Sequence, residues 1–317
     1  MSHPTPLSAF AGDDSLKQAV LEKAVARWNA REVFPLPKLT WQPEKGLRSL
    51  AASLVESEEA DAFSSKLGLP CSLALLCESL LGAGCIVTFD RSVTPTKPSV
   101  TAPLQIASFA GEWLAAIRPG ADLSQVPQRF VLAFLNKVIA AEQGMGTHMG
   151  EPGRQAVQAV ATLLSKSLAQ QSSDAKQWST ARKAALLQVD EAPDVWGQTA
   201  LTFAADIAWP PEDMADELVG LFRAFSFIWL EYLQLPFMSE ELLEDTEAML
   251  GGLRVVSDGS DVEAARAKHP NFERAIQAFQ SEAGQAAMKA CRDTADLAVS
   301  AAVREAMELM LACIRSA

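Results

Sequence analysis

Three histidines, His3, His148 and His269, are the chain's whole supply of imidazole, and none has a glutamate three residues before it. The Glu-x-x-His pairs of carboxylate-bridged metal bundles are therefore missing, and no metal site or cofactor is expected. His148 stands in a glycine-rich run, Gln143 to Arg154, with Glu151 three residues on. A loop of that kind can present a base or a ligand, and an exposed loop histidine is the competing reading. The run falls short of a G-x-G-x-x-G phosphate cradle because Met149 occupies the third glycine's place, and neither G-x-S-x-G nor G-x-x-x-x-G-K occurs. Ser173, Asp174, Ala175 and Lys176 spell S-x-x-K, in which a lysine can activate a serine, but K-T-G and a true S-D-N are missing. A capping serine, Ser172 or Ser173, beside a surface lysine accounts for them better. Cys71 follows Pro70 at a helix start, where the dipole would favour thiolate. With no histidine in sequence reach it reads as a structural cysteine.

Acidic clusters are the most distinctive charged feature. Glu212, Asp213, Asp216 and Glu217 form one, and Glu240, Glu241, Glu244, Asp245 and Glu247 the other. Both sit at helix starts, where negative charge complements the dipole, so two solvated faces would explain them. The sharper reading is a shared acidic surface that captures a basic partner protein and weakens with salt. The alternative is an enzyme or small-ligand binder with a pocket against the helix over 211–235, where His148, Arg223, Trp229 and Tyr232 would supply the contacts.

The totals narrow the field. A chain of 317 residues that is 49% hydrophobic can bury a large core, and a net charge of -12 disfavours phosphate backbones and anionic lipid as partners. Five cysteines with no C-x-x-C pair fit reduced thiols in a cytoplasm. The N-terminus reads as a polar leader up to Asp14 without a signal peptide. The longest apolar runs meet Asn, Lys, Arg or Glu before the roughly 20 residues a membrane span needs.

The elements that must position these residues are helices. The organising stretch runs from Pro210 to Leu235. Its prolines suit a helix start, and beyond Leu218 its apolar residues spread around nearly the whole circumference, the pattern of a helix enclosed by others. Amphipathic spacing marks further helices over 14–31, after Leu47, around Leu73, over 106–117, after Pro127, after Val157 and around Trp178. An acidic helix from Glu240 to Leu250 should close at Gly251 and Gly252. Prolines at 35, 37 and 43 make that segment an extended strap across the core. Cys85 to Phe89, with prolines 95, 98 and 103 beyond, supports one short strand or hairpin near 84–102. The alanine-rich segment from Gln285 to Arg315 should lie flat against a neighbour. The expected fold is all-α, an irregular multi-helix bundle. It forms one domain, or two subdomains over 13–143 and 154–317 joined by the glycine-rich loop.

Two stretches, Trp113 to Ser124 with its Gly-Ala-Asp-Leu-Ser turn and Trp178 to Ala185, resemble a group of bacterial helical proteins that pair a G-A-D-L-S turn with Ala/Trp-rich helices. Some of that group are similar to immunity proteins encoded beside toxin genes. The resemblance implies a non-enzymatic inhibitor that neutralises a toxin by protein binding, and it brings no catalytic residue.

Overall fold

The computed structural model describes residues 7–36, 38–90, 97–139, 144–171, 173–210, 214, 217–257 and 259–317. It is 74% helical, and its β structure is two short antiparallel pairs, which makes the class all-α. The first helices are α1 (Asp14–Asn29), α2 (Leu50–Val55), α3 (Asp61–Leu67), α4 (Cys71–Ala83), α5 (Leu104–Ala107), α6 (Phe109–Ala116) and α7 (Val126–Phe134). Then come α8 (Gly150–Leu168), α9 (Ala175–Val189) and α10 (Val195–Asp206). The last are α11 (Leu218–Gln234), α12 (Glu240–Ser257), α13 (Val262–Lys268), α14 (Phe272–Gln280) and α15 (Glu282–Arg315). Strands β1 (Trp41–Gln42) and β2 (Leu47–Arg48) form one pair. The expected hairpin is present as β3 (Ile86–Asp90) and β4 (Lys97–Thr101), with Thr88 opposite Ser99.

Aromatic packing fixes the centre. The Phe134 ring on α7 meets Phe222, Phe225 and Trp229 on α11 edge-on at centroid distances of 5.1, 6.0 and 5.2 Å. Residues three and four apart on α11 thus grip one ring, the geometry of knobs set by helical spacing. Phe203 on α10 stacks on Phe225 at 4.4 Å. Helices α4, α10 and α15 wall α11 in. The stretch Leu218–Phe237 is long and apolar enough to cross a membrane, with a mean hydropathy of 1.3, although the sequence expectation has every apolar run stopping short of that. In this fold it is the central core helix.

The enclosure is incomplete. Gly220, Ala224 and Phe227 are exposed, Phe227 by 60%, while Leu221, Ile228, Leu230 and Tyr232 are half-buried. Gly220 and Ala224 are too small to reach the flanking helices, so one stripe of α11 stays open where full enclosure was expected.

Other expectations shift for equally local reasons. The glycines at 251 and 252 do not end α12, which continues to Ser257. A Cβ on Gly251 would lie 2.4 Å from the His269 ring and one on Gly252 2.1 Å from the Phe272 ring, so these glycines serve close packing rather than termination. Gly150 and Gly153 belong to α8, and the glycine-rich loop shrinks to a single 3-10 turn, Met145–His148. One cluster of buried side chains includes residues on both sides of that turn, from Ala9 to Ile314. The described end of the polar leader, from Leu7, also folds in: Phe10 is fully buried, and Ala9 exchanges backbone hydrogen bonds with Gly120 and Ala121 of the G-A-D-L-S turn at 2.7 and 3.0 Å. In α15, Ala295 and Ala306 are buried while Ala287, Ala290 and Ala298 face solvent, so only part of this 34-residue helix lies against neighbours.

Candidate functional site

Of the first acidic cluster, Glu212, Asp213 and Asp216 lie outside the described residues, and Glu217 is exposed just before α11. The second cluster is divided by its helix. Glu240 and Glu241 face solvent in the first turn of α12. Asp245 is buried and accepts a hydrogen bond from Arg274 on α14 at 2.8 Å, with Glu244 3.5 Å from the same guanidinium. Glu247 accepts from the Trp196 indole at 3.2 Å. Three of the five carboxylates thus tie α12 to α14 and α10. Glu240, Glu241 and Glu244 stay exposed, while Asp245 is buried and Glu247 half-buried.

The four residues expected to share a pocket are also separated. Trp229 is 1% exposed inside the aromatic core, and Arg223 is half-buried further along α11. His148 and Tyr232 do meet, edge-on at 5.6 Å. His148 Nδ1 lies 2.5 Å from Asp194 Oδ2, and the other oxygen of Asp194 accepts from the Trp196 and Gly197 amides at 3.0 and 2.9 Å. Asp194 is thus the N-cap of α10, and the histidine clamps the 3-10 turn to it. Gly197 is required for that seat, because a Cβ there would sit 1.9 Å from the His148 carbonyl oxygen. Burial, helped by the Asp194 charge, raises the Tyr232 phenol, and a hydrogen bond with Thr147 opposes the rise. The dyad is a fastening between α10, α11 and the turn.

The open stripe of α11 leads to a larger feature. Between the base of the β3–β4 hairpin, the end of α11 and the middle of α15 runs a groove of about 710 Å³. Cys85, Ile86, Phe227, Leu230 and Val299 give it apolar walls, and Glu231, Arg292, Asp293 and Asp296 line it as well. Helical spacing puts them there: Phe227 and Glu231 are one turn apart on α11, as Asp293, Asp296 and Ser300 are on α15. Burial raises the Glu231 carboxyl, and the Arg292 charge only partly lowers it. Burial also pushes the Cys85 thiol up to about 12, which leaves it protonated and unreactive. Asp293 is held 2.5 Å from Lys289. Among the described residues the lining therefore carries three carboxylates and one guanidinium.

No known protein family, curated protein or solved structure matches this chain. The site is therefore read from its own geometry. Among the described residues no three His, Cys, Asp or Glu side chains stand close enough to hold a metal ion. In the sequence Glu231 reads as an interruption of an apolar helix face and, with Arg223 and His148, as a group that could converge in a pocket, whereas Asp293 and Asp296 carry no such mark. A periodic reading of α15 would have aligned those two with Ser300, but nothing local says which helix faces them.

Proposed function

We propose that the protein is a non-catalytic binding protein that takes a cationic, amphipathic segment of a partner protein into the groove beside α11. The observation that carries this reading is the desolvated Glu231 carboxylate in an apolar groove where, with Asp293 paired to Lys289, Glu231 and Asp296 still outnumber the one guanidinium. A carboxylate that has lost water without gaining a full partner recovers that cost when a cation arrives. The exposed Phe227 and Ile86 rims offer the apolar half of the same contact. In its most concrete form this is an immunity-type inhibitor bound to a basic toxin, the function implied by the resemblance around the G-A-D-L-S turn. The acidic first turn of α12 serves long-range attraction rather than docking.

The test uses two fluorescent helical peptides of equal length, one built of Leu and Lys, the other of Leu and Glu. The Leu/Lys peptide is expected to bind the full chain, to weaken with salt, and to lose about tenfold in affinity against Glu231→Gln. Equal binding of both peptides, or a Glu231→Gln protein that binds as the wild type does, would remove the proposal.

A further inference from the structure

Residues of α10, α11 and α12 line a second cavity, of about 330 Å³, which shares Phe227 with the groove. We propose that this cavity binds an uncharged, mostly hydrocarbon small molecule that carries one hydroxyl or N–H donor. The space exists because Ala224 stands on α11 where a larger side chain would fill it, opposite Leu250 and Leu253 of α12. Its size falls at the lower end of ligand cavities, roughly 300–1,000 Å³. Three aromatic rings, Phe203, Phe225 and Phe227, and the aliphatic Leu221 and Ile228 add to the apolar wall. Water held against such a lining finds few partners, which favours its displacement by hydrocarbon.

Two features set the ligand's chemistry. The lining holds one acid, Asp206, and one base, Arg254, so it has no net formal charge. Arg254 already donates to Gln198 at 2.5 Å and reaches Asp190 at 3.5 Å, so an incoming anion would compete with existing partners. The hydroxyls of Thr199, Thr202 and Ser257 donate to the carbonyls of Val195, Gln198 and Arg254 at 2.8, 2.9 and 2.8 Å. Each hydroxyl hydrogen is used within its own helix, so what those oxygens still offer is acceptor capacity. A ligand donor matches that supply, whereas a ligand with acceptors alone does not.

The probe is N-phenyl-1-naphthylamine, an uncharged two-ring hydrocarbon with one N–H whose fluorescence rises in apolar surroundings. The full chain is expected to bind one equivalent saturably, and Ala224→Trp to weaken binding by at least about tenfold. Ala224 is exposed, so circular dichroism of that variant should stay as in the wild type. Leu253→Asp, at a position 48% exposed, repeats the test without adding bulk. Decanol should displace the probe and decanoate should not. Glu231→Gln should bind the probe normally, which separates this cavity from the charged groove. Non-saturable binding, an Ala224→Trp protein that binds like the wild type, equal displacement by decanoate, or loss in Glu231→Gln would each overturn the assignment.

Discussion

Single carboxylates in this protein meet opposite fates, and their surroundings decide which. Glu78 is fully buried on α4, where one oxygen accepts from the Leu36 and Leu50 amides at 3.1 and 2.8 Å and the other from Ala51 at 3.2 Å. Burial pushes its carboxyl up to about 8 against those three amides, so between the ordinary value of 4.5 and 8 the folded chain holds a proton that the unfolded chain releases. Stability should therefore fall as pH rises through that window, and Glu78→Gln should flatten the slope in urea titrations at a series of pH values. The same variant turns an amide nitrogen toward a backbone donor, which is expected to cost about 1–3 kcal/mol. Glu56 goes the other way. Lys23 and Arg27, each 2.6 Å away, bring its carboxyl down to about 2, so its contribution is present above 4.5 and fades as pH drops toward 2. That carboxylate is 44% exposed, so solvent keeps the contribution small. Glu231 carries the functional counterpart: its raised carboxyl means that binding of the Leu/Lys peptide should weaken on acidification before ordinary surface carboxylates titrate.

At the scale of elements, glycine shows how one residue type serves different ends. Gly252 in α12 accepts the Phe272 ring so closely that Gly252→Ala would overpack a contact whose ring is itself buried. The cost of about 1–3 kcal/mol should exceed the helix-propensity gain of about 1 kcal/mol, lowering the thermal midpoint. Gly220 in α11 has nothing within 4 Å of its would-be Cβ, so Gly220→Ala should raise stability by about 0.5–1 kcal/mol. Calorimetry of the two variants tests the reversal directly. The sequence reading expected Gly251 and Gly252 to end a helix because chain-local rules know glycine only as a terminator. Helix positions themselves were far more legible. The periodicity around Leu16, Leu73, Trp113, Phe130, Val157 and Trp178 placed α1, α4, α6, α7, α8 and α9 because core-facing spacing is written in the chain itself.

Across the whole molecule, one aromatic knot unites segments far apart in sequence. Phe134→Ala should lower the unfolding free energy by about 3–5 kcal/mol. Because the buried cluster continues past residue 150, tryptophan fluorescence and far-UV circular dichroism should report the same shifted midpoint in urea; separate midpoints would mean that the two halves unfold independently. The candidate site belongs to this scale. Asp293 and Asp296 on α15 lie nearly seventy residues from Phe227 on α11, and the hairpin that closes the groove lies well over a hundred residues before α11, so no window of sequence contains the site. By itself the sequence determined the all-helical class, the hairpin between Gly84 and Ala102 and the apolar character of α11, because propensity, periodicity and proline act within a few residues. Only the tertiary structure decided which acidic side chains are tied up with Arg274 and Trp196, and which stripe of α11 stays open. Those outcomes depend on the side chains that distant helices bring against each position, and local spacing carries no record of that.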